Sequence, residues 1–212
     1  MNSDINSHPQ CIENRSFQII EEEVPEPRPY LGNEWQVVRR MIHASADFDL
    51  LSLVHFQENA VQSGLDALVA GGSIVTDTQM VKAGITSARI NRLGCEVKCF
   101  VNDPEIIQKA KERRQTRSKL AVEKATPHLQ GGIFVAGNAP TALYSLLETI
   151  SRENLQPALI LAMPVGFVEA VESKEEIIKT SLPCIAVKGR KGGSSLAAAC
   201  VNSLAEMALN KE

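Results

Sequence analysis

The sequence predicts an α/β protein: a three-layer α/β/α single domain around a mainly parallel central sheet of about five strands. Two observations carry this expectation. Five short runs are largely apolar rather than alternating: residues 73–76 (SIVT), 97–101 (VKCFV), 132–136 (GIFVA), 158–163 (ALILAM) and 184–187 (CIAV). Strands of that kind are buried on both faces, as in a parallel sheet. Stretches of helical period separate them, which gives the strand–helix alternation of a sheet covered on both sides. Aromatics are only 4% of the 212 residues, so the core must be built from Ala, Val, Ile and Leu, which suits close helix-on-sheet packing.

Taken in order, residues 1–14 are expected to form a flexible N-terminus and 15–212 the single domain. The polar opening MNSDINSHPQ has no apolar core of a secretory signal. Residues 15–23 (RSFQIIEEE) read as a helix with Phe17 and Ile20 inward. Prolines at 25, 27 and 29 keep the next stretch extended or irregular. Residues 35–45 (WQVVRRMIHAS) form a helix with Trp35, Val38 and Ile42 facing the core and Gln36, Arg39, Arg40 and His43 on the other side. Residues 47–56 are a connection without a periodic pattern. Residues 59–70 are an amphipathic helix, capped by Asn59 and stopped by Gly71 and Gly72. A helical turn follows at 78–83. Pro104 opens a helix to 114, and another runs from Thr116 to about 128. Helices over 139–151, 167–180 and 194–209 complete the alternation.

A net charge of −3 excludes the broad basic surface of a general nucleic-acid binder. The five cysteines are odd in number and lack CxxC spacing, so they read as reduced thiols of a cytoplasmic protein, with no metal site. No apolar run is long enough to span a bilayer. HExxH and GxSxG are absent, which leaves a zinc hydrolase or an activated serine unsupported.

What remains is one histidine among cations and loop amides. Arg39 and Arg40 stand four and three residues before His43, so all three can approach one ligand. Imidazole suits proton exchange near neutral pH. In a parallel sheet, ligands bind at the carboxyl ends of the strands. GNAPTA (137–142) lies there, and its amides could hold a carboxylate or phosphate; an ordinary strand-to-helix turn is the plain alternative. VKGRKGGSS (187–195) combines Lys188, Arg190 and Lys191 with Gly189, Gly192 and Gly193. It is an anion site in composition, but not a Walker loop, since Gly193 stands where that motif needs Lys. In QTRSK (115–119), Thr116 caps a helix and puts Arg117 and Ser118 in its first turn, where Arg opposes the helix dipole. Asp77 and Thr86 are weaker polar signals near the end of the first strand. Together these features suit binding a polycarboxylate and moving a proton.

VRRMIHAS, IVTDTQMVKAGIT, TRS, GNAPTAL, MPVGFVEAVESKE and GRKGGSSLAAACVNSLA occur in order over residues 15 to about 205. They resemble the precorrin-8X methylmutase family, including its cobalt-precorrin-8 branch, and SFQII near Phe17 is similar to the family's N-terminal motif. The resemblance implies an isomerase of cobalamin biosynthesis. Its members move a methyl group from C11 to C12 of a tetrapyrrole macrocycle, giving hydrogenobyrinate or cobyrinate, by a sigmatropic shift without a cofactor. Any cobalt arrives inside the substrate. The family's catalytic His matches His43, its substrate-binding Thr matches Thr86, and its Arg in TRS matches Arg117. The further substrate-binding set is Arg15, Ser16, Arg39, Arg40, Thr116, Ser118, Asn138, Ala139, Thr141, Lys188, Gly189, Arg190, Lys191, Gly192 and Gly193. The resemblance also implies a homodimer with its site near the subunit interface, and possible hand-off to other enzymes of the pathway. Nucleic acid and membrane are not expected partners. Gln115 and VPEPRP depart from the family pattern. A non-catalytic corrinoid carrier and a nucleotide-binding α/β enzyme are the alternatives.

Overall fold

A computed structural model describes residues 9–57 and 59–210. Its strands are β1 (Val54–Phe56), β2 (Ser73–Thr76), β3 (Glu96–Lys98), β4 (Ile133–Ala136), β5 (Leu159–Ala162) and β6 (Cys184–Val187). They form one sheet in the order β1–β6–β5–β4–β2–β3. Pairing is parallel throughout except for β1, which runs antiparallel to β6 with Val54 opposite Val187. A strand stands at each of the five expected places, although β3 covers 96–98 where 97–101 was expected, and β1 is a sixth. It has three residues and sits at an edge, too short to show a periodic pattern.

The central strands are buried on both faces because each supplies two cores by alternation. Ile133 and Val135 of β4, with Leu159 and Leu161 of β5, point into one core. Phe134 and Ala136, with Ile160 and Ala162, point into the other. The first core is covered by α2 (Gly32–Ser45), α4 (Ala60–Val69) and α11 (Ser194–Leu209), with α5 (Gln79–Gly84) and α6 (Ser87–Arg92) beside them. The second is covered by α8 (Arg117–Ala125), α9 (Pro140–Glu153) and α10 (Ala170–Ile178). α1 (Pro9–Glu23) adds Ile20 to the first core, and α3 (Leu50–Leu53) leads into β1. α7 (Pro104–Arg113) packs Ile106 and Ala110 on Leu120 and Ala121 of α8. α11 buries Ala197, Ala198, Ala199, Cys200 and Ala205, and such small side chains let several helices approach it closely.

Four further sequence expectations need correcting. The N-terminal helix begins at Pro9, so the boundary at 14/15 moves back; residues 1–8 lie outside the described residues. Asn59 occupies the N-cap position but makes no capping bond, because its backbone is left-handed (φ 61°). The helix expected over 167–180 covers only Ala170–Ile178. Before it, Gly166 (φ 148°) and Glu169 (φ 59°) turn the chain and leave Phe167 and Val168 exposed. The helix from Thr116 ends at Ala125 and tightens into a 3-10 turn at Thr126–His128.

Candidate active site

α2 is anchored by Trp35, Val38 and Ile42, all buried, so its opposite side faces outward as its spacing requires. Ala46 ends the helix in a left-handed conformation, returning its N–H to the Ile42 carbonyl at 2.7 Å. His43 lies in this last turn and is exposed. Its ring leans on Phe17 of α1, centroids 5.2 Å apart and planes at 59°. Beside it runs a groove of about 270 Å³, lined among others by Arg40, Gly84, Ser195, Ala199 and Asn202. The small side chains make its floor shallow.

The cations nearest His43 are already matched by carboxylates of the same chain. Arg40 binds Glu13 at 3.0 Å and Glu206 at 2.5 Å, and Arg89 of α6 joins Glu206 at 3.2 Å. Arg39 binds Glu21 at 2.7 Å, with its guanidinium 4.5 Å from the Phe17 ring centroid. Glu21 also accepts from Trp35 Nε1 at 2.9 Å and from Arg28. Burial would raise the Glu21 pKa, but the bonds from Trp35, Arg39 and Arg28 outweigh it and hold the carboxyl below its ordinary value. Arg15 is exposed on α1, 3.8 Å from Glu22, and Ser16 bonds the Ile12 carbonyl at 2.9 Å.

The GNAPTA turn differs from its expected role. Its amides do not wait for an external anion: Gly137, Asn138 and Ala139 donate to the Asp77 carboxylate at 3.0, 2.8 and 2.7 Å. Burial pushes the Asp77 carboxyl above its ordinary value, and the three amides act against that push. Asp77 thus ties the end of β2 to the start of α9. Gly137 is required there, since a Cβ would come within 2.8 Å of the Ser194 backbone. The Asn138 side chain stays exposed, and Ala139 is the buried cap residue of α9.

Thr116 caps α8 as expected, accepting from the Lys119 amide at 3.2 Å. Its hydroxyl also donates to Thr141 Oγ1 at 3.2 Å, so TRS and GNAPTA meet. Arg117 is exposed and, among the described residues, bonds only the neutral Asn102 Oδ1, at 3.2 Å; Ser118 is half-buried beside it. This cluster lies at the same sheet edge as His43 but on the opposite helical layer.

The basic loop after β6 is also built from internal bonds. Lys191 is claimed by Asp47 at 2.7 Å and Asp49 at 2.6 Å, just beyond His43 in the chain. Lys188 and Arg190 are exposed, with the Arg190 guanidinium 5.3 Å from the Phe167 ring centroid. Gly189 has φ 72°. Gly192 (φ 151°) lies so close to Met163 that a Cβ would stand 2.3 Å from its carbonyl oxygen, while the Gly193 amide donates to that oxygen at 2.8 Å. Beneath the loop, Lys174 is buried and donates to the Lys191 carbonyl at 2.8 Å. Burial pushes its pKa down to about 8.

Thr86 holds the N-cap position of α6, near the groove, without a side-chain capping bond. Asn202 of α11 accepts from its amide at 2.8 Å and donates to the Gly84 carbonyl at 2.9 Å. His43, Arg40 and the turn leading to Thr86 therefore come together. Thr116, Arg117 and Thr141 form a second group, and Lys188 to Gly193 a third. Asn202 and Lys174 escaped the sequence reading, and Asp77 read only as a weak signal. The available clue for Asn202 was its place with Glu206 and Ser195 on the one polar stripe of an Ala-rich helix.

Fold and site define an α/β enzyme whose one exposed imidazole among the described residues, that of His43, stands at a groove between α2 and α11. The chain belongs to the precorrin-8X methylmutase family, whose model matches residues 11–207. Methylmutases are isomerases that move a methyl group within one molecule. A cobalt-precorrin-8 methylmutase of Leptospira interrogans is 44% identical over 201 residues, covering 91% of each chain. A precorrin-8X methylmutase of Pseudomonas aeruginosa is 44% identical over 168 residues, covering 78% of this chain and 80% of its own. The crystal structure of precorrin-8X methyl mutase from Thermus thermophilus superposes with a TM-score of 0.89 at 41% identity, covering 95% of this chain and 97% of its own.

Proposed function

We propose that this protein moves the methyl group of precorrin-8X, or of its cobalt form, from C11 to C12 of the macrocycle, with His43 as the group that exchanges the proton. One observation carries the reading. In a chain matched along nearly its whole length by the methylmutase family, His43 is exposed at a shallow groove, and among the described residues nothing hydrogen-bonds its ring nitrogens. A hydrogen bond or proton from the imidazole to the macrocycle near the migrating carbon polarises the conjugated ring and favours the rearranged isomer. General acid assistance of this kind contributes roughly 10²- to 10⁴-fold. The remainder is shape, with the groove fitting the transition state better than the substrate.

The substrate's acetate and propionate groups need cations. Arg117, Lys188 and Arg190 are exposed and carry no carboxylate partner among the described residues. They are the proposed carboxylate ligands. Arg39, Arg40 and Lys191 instead act mainly by fixing α2 and the basic loop. No external cofactor is needed in this scheme, and any cobalt enters as part of the substrate. The proposal includes a homodimer with the site near the subunit interface, a cytoplasmic location, and passage of the product to the next enzyme. Among the described residues, no helix is long and apolar enough to cross a membrane. The nucleotide-binding alternative loses ground because Asp77 occupies the amides that a phosphate would use.

The test is conversion. Purified protein incubated with precorrin-8X, and separately with the cobalt form, should change the visible spectrum to that of the rearranged corrin with at least one of them. Folded protein that binds either compound yet converts neither would favour the carrier reading.

A further inference from the structure

We infer that Asn202 is a positioning residue for the methyl shift: its side-chain amide grips the backbone on both sides of Ile85 and so sets where the Thr86 hydroxyl meets the substrate. This rests on the function proposed above and on the substrate contact that the family resemblance implies for Thr86. Asn202 lines the His43 groove. Its Nδ2 donates to the Gly84 carbonyl at 2.9 Å and its Oδ1 accepts from the Thr86 amide at 2.8 Å, while the Ile85 side chain between them is buried. A primary amide sets N–H donors and an oxygen acceptor side by side on one planar frame. Aspartate cannot donate to the carbonyl, and an apolar residue offers neither bond.

The hydroxyl of Thr86 is a second, independent sign. A Thr at an N-cap ordinarily spends its hydroxyl on an amide of its own helix. Thr86 has the extended backbone of a cap (φ −72°, ψ 98°) but makes no such bond. Its hydroxyl is left for another partner, and the turn that carries it is fixed from outside. α11 holds that turn at two levels: Asn202 grips it before α6, and Glu206, one helical turn further on, binds Arg89 within α6 and Arg40 beside His43. The same face of α11 therefore sets both His43's neighbour and Thr86.

Misplacing a binding group by about 1 Å can cost on the order of 10²-fold in rate. A double-mutant cycle tests the inference, with kcat and KM measured for the corrin conversion and the melting temperature followed in parallel. Thr86→Val and Asn202→Ala should each lower kcat/KM by roughly ten- to hundredfold, and the double variant should be no worse than the more damaged single one. Losses that multiply, or wild-type kcat/KM in Asn202→Ala, would overturn it. If Asn202→Ala does not fold, Asn202→Asp carries the same cycle, since it keeps the acceptor for the Thr86 amide and loses the donor to Gly84. Multiplying losses in an active wild-type background reject the role of Asn202 alone, whereas a wild type that converts nothing rejects the proposed function itself.

Discussion

At the scale of single residues, the decisive question for each cation is whether a carboxylate of the same chain already holds it. Arg39 shares Glu21 with Trp35 and Arg28, whereas Arg117, among the described residues, bonds only an asparagine. Arg117→Ala should therefore weaken product binding by roughly ten- to hundredfold, the worth of a charge-assisted hydrogen bond, with little change in melting temperature. Arg39→Ala should lower the unfolding free energy by about 1–3 kcal/mol, because Glu21 is left underpaired. Titration calorimetry and urea unfolding on the two variants separate these outcomes. Lys174 gives a signed pH effect. Its folded pKa is pushed down from the usual 10.5 to about 8, so between those values the unfolded chain holds more protons. Stability from this group must then rise as pH climbs through that window. Urea midpoints at several pH values across it should climb more steeply in wild type than in Lys174→Met, and equal slopes would show that Lys174 is not held as described.

At the scale of elements, the sheet edge is joined by bonds from one loop to the next. Asp77 at the end of β2 satisfies three amides at the start of α9. Replacing it by Ala buries amides without acceptors, each costing about 1–3 kcal/mol. Asp77→Ala should therefore lose about 3 kcal/mol or more, a fall of roughly 6–12 °C in a domain of this size. Calorimetry would show it, and a loss below about 1 kcal/mol would mean that water or a shifted turn supplies the missing acceptors. The same bonds explain which elements could be seen in advance. β2, β4, β5 and β6 were legible because both of their faces are buried, which writes a largely apolar run. β1 was not, because three edge residues cannot display a period. α6 was missed for a similar reason, being six residues long and buried only at Ile90.

At the scale of the whole molecule, α2 and α11 bring His43 to one side of the sheet edge, and α8 and α9 bring Arg117 and Thr141 to the other. The identity of these residues was legible, since each sits in a short motif with its own local chemistry. Their partners were not. Lys191 finds Asp47 at a separation of 144 residues, and Gly137 finds Asp77 at 60, distances over which no spacing rule operates. Hence the sequence pattern overstated the number of free cations and free amides, and only the folded chain divides them into those that bind each other and those left for a ligand. His43 is untouched by that revision. Its replacement by alanine is the most direct measurement, with product affinity and single-turnover conversion followed on the same preparation. With His43 as the proton-exchanging group, His43→Ala should bind corrin close to wild type and convert it more slowly by roughly 10²- to 10⁴-fold; binding and conversion both at wild-type level would rule that role out.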